Sequence, residues 1–381
     1  MKSVTLGEVV EIVSGATPRT SDPDNWHGDV RWATPADLSR LDGPYIYDTP
    51  RMITDAGLQS CAARVLPEGS VLLSSRAPIG HVAINSVPMA TNQGFKSLIP
   101  GPRVDAKYLY HWLRANTAHL QSMGNGATFK ELSKKTVERI LVPLPTIDEQ
   151  RRIAAILDHA DVLRAKRRQV LTRLDTLTQS IFHDMFGTEA NNVALGDVCL
   201  RITDGTHQSP EWSDQGVPFL FVSNITSGEI DFETKKHISH DVWRTLTRRC
   251  PIDVGDVLYS TVGSYGFPAV VRTEDPFAFQ RHIAHIKPDQ DVLLPDFLSA
   301  QLSSAPLRRQ AARAARGIAQ PTVNLASIRE FNIVVPSVAR QKEFVARVAP
   351  VSEMKLQARA VANGLTALFE SLQSRAFSGQ L

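Results

Sequence analysis

Cysteine is nearly absent from this chain. Only Cys61, Cys199 and Cys250 occur in 381 residues, and no Cys-x-x-Cys pair is among them. So odd and scattered a set argues against a disulfide framework or a zinc ribbon and points to a reducing, cytoplasmic compartment. No apolar run approaches the roughly 20 residues that a helix needs to cross a bilayer. The opening Met1-Lys2-Ser3-Val4-Thr5-Leu6 carries no signal-peptide core. Charge of one sign is not in large excess either. A net charge of +3 permits nucleic-acid binding through local patches without requiring it.

The machinery of catalysis is missing as well. There is no Gly-x-x-x-x-Gly-Lys-Ser/Thr phosphate loop, no Gly-x-Gly-x-x-Gly and no Gly-x-Ser-x-Gly elbow. Neither an aromatic-x-Gly-x-Gly run for S-adenosylmethionine nor an Asn/Asp-Pro-Pro-aromatic methylation motif occurs. His282-Ile283-Ala284-His285 and His237-Ile238-Ser239-His240 come nearest to metal spacing. On a strand, however, His282 and His285 point to opposite faces and would not share an ion. The expectation is no catalytic residue, no metal and no cofactor in this chain, which weighs against a fused methyltransferase or nuclease.

What the chain does contain, it contains twice. Leu6-Gly7-Glu8-Val9 returns as Leu195-Gly196-Asp197-Val198, an offset of 189. Gly69-Ser70-Val71-Leu72-Leu73-Ser74 returns as Gly255-Asp256-Val257-Leu258-Tyr259-Ser260, offset 186, and Val142-Pro143-Leu144-Pro145 answers Ile333-Val334-Val335-Pro336, offset 191. A period this long marks two tandem domains rather than a solenoid. In the first, Val71-Leu72-Leu73 and His81-Val82-Ala83-Ile84 read as strands around the turn-rich Ser74-Ser75-Arg76-Ala77-Pro78-Ile79-Gly80. Residues 108–118 read as a helix, and Ile140-Leu141-Val142-Pro143 as a closing strand.

Between the modules glycine and proline vanish over 148–186, and apolar residues fall on a heptad. One seam column reads Ile153, Ala160, Arg167, Leu174, Ile181 and the other Ile156, Leu163, Val170, Leu177, Asp184. Arg167 on that seam would snorkel. Thr146-Ile147-Asp148-Glu149 predicts a capping box and Gly187 a stop. At ~1.5 Å per residue such a helix spans roughly 58 Å. A second seam runs through Phe344, Val348, Val351, Ala358, Ala362, Leu365, Phe369, Leu372 and Ala376, with Pro350 expected to kink or restart its helix and Gly364 to weaken it. The chain thus divides into 1–146, 147–189, 190–336 and 337–381. The fold class is α+β: two mixed α/β modules joined by long helices that pair as an antiparallel coiled coil with an approximate two-fold axis.

Two variable α+β modules, each followed by a long helix with a Pro-Leu-Pro-x-x-x-Glu-Gln-Arg-Arg-Ile-like opening, resemble the specificity subunit of type I restriction–modification systems. The phrase here is Val142-Pro143-Leu144-Pro145-Thr146-Ile147-Asp148-Glu149-Gln150-Arg151-Arg152-Ile153. Thr203-Asp204-Gly205-Thr206-His207-Gln208-Ser209-Pro210, Phe279-Gln280-Arg281-His282-Ile283-Ala284 and Asn92-Gln93-Gly94-Phe95 are similar to that family's recurrent phrases. The second helix departs from the pattern, with Arg340 where the first has Glu149. The resemblance implies two target recognition domains, each reading half of a split, asymmetric double-stranded DNA site. It also implies helices that set the gap and dock two modification subunits. S-adenosylmethionine and methyl transfer would reside in those partners, with restriction/translocase subunits joining where present.

For base readout, forked or planar donors on Gly- and Pro-punctuated loops are the natural choice. These are Arg19, Arg76, Gln93 and Lys130 in the first module and His207, Asn224, Ser264, Arg281 and Gln320 in the second. Arg309, Arg313 and Arg316, at i, i+4 and i+7 on one expected helical face, suit phosphates. Gly80 and Gly266 read as backbone devices, and the tryptophans as core. The competing reading is a coiled-coil adaptor joining two protein-binding modules, which would show no DNA dependence.

Overall fold

The computed structural model describes residues 2–76, 78–126, 130–189, 192–317 and 319–381. Ala77 of the 74–80 turn and residue 190, where the second module was expected to begin, lie outside them. The chain forms two compact units, residues 1–169 with 360–381, and residues 170–359. Among the described residues no helix is long and apolar enough to cross a membrane.

In the first unit the central sheet runs Val10–Ser14, Lys96–Pro100, Val71–Leu73, Val82–Asn85, Tyr45–Ile46, antiparallel except for the last pair. Val71-Leu72-Leu73 is apolar throughout because both faces of this strand are covered. With a side-chain period of two, Val71 and Leu73 enter one core with Val10, Ile12 and Leu98, while Leu72 enters another with Val13, Ala83 and Phe95. The helix Ala106–Ala115 closes the first core, and Asp105 starts it by accepting from the amides of Lys107 and Tyr108. The helix expected over 108–118 is therefore two, since a second, Thr117–Ser122, begins after Asn116. A ribbon of Ser3–Thr5 with Leu141–Pro143 ties the entry of the module to its exit.

The second unit repeats the plan. Its sheet runs Cys199–Asp204, Ile283–Pro288, Val257–Ser260, Pro268–Val270, all antiparallel, and its ribbon pairs Asn192–Ala194 with Asn332–Val334. Val257 and Tyr259 face one core and Leu258 another.

Each unit also holds one antiparallel pair of segments from the two long helices, Ile147–Phe186 and Val338–Ser378. In the first unit Arg152 donates to the Leu381 carbonyl (2.8 Å), and the Arg164 guanidinium lies 4.4 Å over the Phe369 ring. In the second, Lys355 meets Asp175 (2.5 Å), Phe182 packs edge-on against Phe344, and Arg340 donates to the Met185 carbonyl (2.7 Å).

Three expectations for these helices are corrected. The seam of the second is as read, but one column of the first is off by a residue. Leu163, Val170 and Leu177 are 37, 36 and 44% exposed, whereas Leu157 is buried and Arg164, Leu171, Thr178 and Met185 are half-buried. Arg164, stacked on Phe369, is thus the seam arginine, and Arg167 is exposed. The capping box is half made: Thr146 Oγ1 accepts from the Glu149 amide (3.4 Å), but the Glu149 carboxylate binds Arg152 (2.7 Å). Finally, the second helix continues through Pro350 instead of restarting. Buried Val348 and Val351 hold the helix across the missing N–H.

A matched pair of glutamines fixes each helix start to its module. Gln150, fully buried, accepts from the Asp105 amide (2.9 Å) and donates to the carbonyls of Arg103 and Pro145 (both 3.0 Å). Gln341, 191 residues later, makes the same three bonds with Leu294 (2.8 Å), Val292 (2.8 Å) and Pro336 (2.9 Å).

Candidate nucleic-acid interface

At one end of each central sheet, four segments are knitted together by main-chain hydrogen bonds. In the first unit the Ser75 amide donates to the Gly94 carbonyl (2.7 Å) and the Leu132 amide to the Ser75 carbonyl (2.9 Å). Asn125 and Glu131 exchange both their amide bonds, and the Ala16 amide donates to Thr91. The second unit matches each of these. Thr261 donates to His282 (3.0 Å), Val323 to Thr261 (2.9 Å), Arg316 and Thr322 exchange bonds, and Thr206 donates to Phe279. The frame is the same, yet its side chains differ. Gln93 stands opposite Arg281 in this correspondence, Gly94 opposite His282, Asn125 opposite Arg316, and Glu131 opposite Thr322.

Glycines allow the frame to close. A Cβ on Gly15 would fall deep inside van der Waals contact with the Asn92 carbonyl oxygen, and one on Gly205 would meet the Phe279 carbonyl oxygen in the same way. Gly80 and Gly266 have φ of 101° and 93°, the left-handed region that the two turns require.

The sequence-derived residues fall unevenly on this frame. In the first unit Gln93 is exposed and its side-chain oxygen accepts from Thr17; Lys130 is exposed beside Glu131. Arg76 is part-exposed and lies 3.8 Å from Glu131, which also takes Lys96 at 3.2 Å. Arg19 is exposed on the loop after Gly15, with its carbonyl held by Asn25 and Trp26.

In the second unit Arg281 and Gln320 line one cavity of about 390 Å³ with Asp204, Thr261 and His282. Ser264 is exposed in the adjoining turn, and His207 is exposed with Nε2 2.9 Å from Asp204. Burial, reinforced by the neighbouring Arg281 cation, holds the His282 imidazole below its ordinary pKa. Uncharged at neutral pH, its Nε2 accepts from the Arg281 Nε–H (3.3 Å).

Two expectations are corrected. Asn224 is only 7% exposed. Its amide is spent on the Phe221 N–H and the carbonyls of Asp231 and Glu233, so it pins a loop and offers no edge to a base. The arginine stripe is broken too. The helix Ala305–Ala314 carries Arg309 and Arg313, both exposed, but Arg316 lies beyond its end and donates back to the Arg313 carbonyl (2.8 Å). Alanine at 315 turns extended and ends the helix at Ala314, short of Arg316. Sequence reasoning also missed Glu131. A carboxylate among two cations in this cluster can accept from a cytosine amino group, and only its place in a Gly-punctuated loop could have signalled it.

Each unit thus gathers exposed polar side chains at a glycine-closed sheet end, in a duplicated α+β module followed by a long helix. The sequence of residues 1–173 matches the family described as Type I restriction modification DNA specificity domain. The chain is 36% identical over 183 residues to the type I restriction enzyme MjaIX specificity subunit of Methanocaldococcus jannaschii, covering 48% of this chain and 42% of that one. It is 24% identical over 335 residues to the EcoBI specificity subunit of Escherichia coli, covering 78% and 70%. The fold is shared with the crystal structure of a type I restriction–modification S subunit from M. genitalium, at a TM-score of 0.53 and 14% identity over 99% of this chain and 96% of that one. Residues 1–173 thus match the specificity-domain model of type I restriction–modification systems, and the chain is similar to specificity subunits of such systems.

Proposed function

We propose that this chain is the address reader of a type I restriction–modification complex, itself without catalytic residues. Each unit presents its loop cluster to one half of a split, asymmetric DNA target. Modification subunits carrying S-adenosylmethionine perform methyl transfer, and restriction subunits join where present. The observation that carries this reading is the doubled sheet end, where one main-chain frame holds two different sets of donors and acceptors. The division 1–146, 147–189, 190–336 and 337–381 fits it, with the modules as readers and the helices as docking segments. The exposed apolar columns suit that docking: Val162, Leu163, Val361 and Leu368 in the first unit, and Val170, Leu177, Met354 and Leu356 in the second. Three unpaired cysteines accord with a cytoplasmic site of action.

The test is selection from a randomised DNA library by the assembled complex. Two unlike half-sites separated by a fixed gap are expected, and binding without sequence preference would overturn the proposal. Within it, Arg281→Ala should weaken binding by about 1–3 kcal/mol and relax preference at one position of one half-site. Arg309→Ala, a phosphate contact, should instead lower affinity evenly and reduce the salt slope by about one. Fluorescence anisotropy across a salt series distinguishes the two outcomes.

A further inference from the structure

The second unit holds a cluster that DNA reading does not use. Cys250 follows the helix His240–Thr247, and its Sγ lies 3.4 Å from His285 Nδ1 on the strand Ile283–Pro288. His285 Nε2 lies 2.6 Å from Asp256 Oδ2, and both of these residues are almost wholly buried. Lys287 donates to the same carboxylate (2.7 Å) and to Asp253 (2.8 Å). Thiol, imidazole and carboxylate thus stand in line, contributed by three separate segments.

The thiol opens on a cavity of about 410 Å³ walled by Arg201, Arg248 and Arg249, with Asp204 and His207 on its rim. Arg201 also donates to the Arg249 carbonyl (2.6 Å), which fixes the backbone one residue before the cysteine.

The fold does not require this cluster. In the first unit the matched strand positions are Ser70 and Ser97, both fully buried in the same sheet register where the second has Asp256 and His285. Burying a carboxylate and an imidazole in place of two serines carries a desolvation cost, which the Asp253 amide and Lys287, both donating to Asp256, offset only in part.

We propose that Cys250 is an activated thiol and a site of covalent modification, by thiol–disulfide exchange with disulfides that carry anionic groups. The inference is independent of the DNA-reading proposal. His285 takes the thiol proton on Nδ1 while Asp256 accepts from Nε2–H, leaving a thiolate beside an imidazolium. That thiolate attacks one sulfur of the disulfide, a new S–S bond forms to Cys250, and the old one breaks. The electron pair departs on the leaving thiolate, so one half of the reagent is reduced as Cys250 is oxidised. The proton stays on His285 until solvent removes it, and the three arginines attract the anionic substituent.

Burial pushes the Cys250 thiol up, but hydrogen bonding to His285 and the nearby Arg201 and Lys287 charges outweigh it and bring the thiol below its ordinary value. His285 moves the other way: burial lowers it, and Asp256 and Cys250 together raise it more. By contrast, burial pushes Cys199 up to about 12.

The test treats the full chain with the aromatic disulfide bis(3-carboxy-4-nitrophenyl) disulfide, and separately with dicationic cystamine. The modified peptides are then mapped by mass spectrometry across a pH series. Cys250 should react first, about tenfold faster than Cys61 at neutral pH, with a midpoint below the ~8.5 of a free thiol. The dicarboxylate should react faster than cystamine. His285→Ser should lower the neutral-pH rate about tenfold and move the midpoint up to the ordinary value. Should that variant fail to fold, Asp256→Ser with His285→Ser restores the serine pair that the first unit already packs, and the same loss is expected. A wild-type Cys250 profile like that of Cys61, or rates unchanged by the double substitution, would overturn the proposal; a preference for cystamine would overturn the role given to the arginines.

Discussion

Gly205→Ala should abolish recognition by the second module while the first continues to read its half-site. The added methyl would meet a main-chain carbonyl oxygen, that of Phe279, and no rotamer change can move it away. Relief requires the 204–208 segment to separate from the strand end at Ala278–Phe279, which breaks the Thr206 amide bond to Phe279 and the Arg281 amide bond to Thr206. Overpacking of this kind costs about 3 kcal/mol or more when backbone must shift. His207 and Arg281 would lose their placement together. Gly15→Ala should do the mirror-image damage through the Asn92 carbonyl. Library selection with each variant gives the decisive readout, since each should keep one half-site and lose the other. Unchanged preference at both halves in Gly205→Ala would show that the cluster is not the reading surface.

Gln341→Leu should be the most damaging single change for stability of the second unit, and Gln150→Leu for the first. Leucine is close in volume, so little cavity forms. The loss comes from leaving the Leu294 amide and the Val292 and Pro336 carbonyls buried without partners. At ~1–3 kcal/mol for each orphaned group, about 4 kcal/mol is expected. Chemical denaturation monitored in each unit would measure it, and a change under about 1 kcal/mol would mean that water or a relaxed backbone replaces the side chain.

The duplication was legible because its landmarks are backbone devices: glycine turns, proline-ended strands and the apolar run at 71–73. The second long helix was legible for a similar reason, since its seam is one apolar column interrupted only by Lys355. The first helix carries two neighbouring columns, Ile156-Leu163-Val170-Leu177 and the one through Leu157 and Leu171, and periodicity cannot say which is covered. Sheet and partner helix decide it, and they bury the second. Asn224 was misjudged because a loop amide looks the same whether it faces solvent or holds its own turn together; only the neighbouring Asp231 and Glu233 carbonyls distinguish the cases. The paired glutamines left a sign that went unread: a polar residue kept at offset 191 while its flanks drifted from Glu149 to Arg340 and from Arg151 to Lys342. Nothing comparable marked Cys250, His285 and Asp256, which are 35 and 29 residues apart along the chain and meet only through the sheet.

Because amides and carbonyls supply the frame of both sheet ends, the exposed side chains that project from it, paired mostly with one another, carry little of the structural duty. Such a surface can change its vocabulary one substitution at a time without first losing its grammar. A lineage carrying it could acquire new target words at little cost to folding, and each half could do so independently of the other.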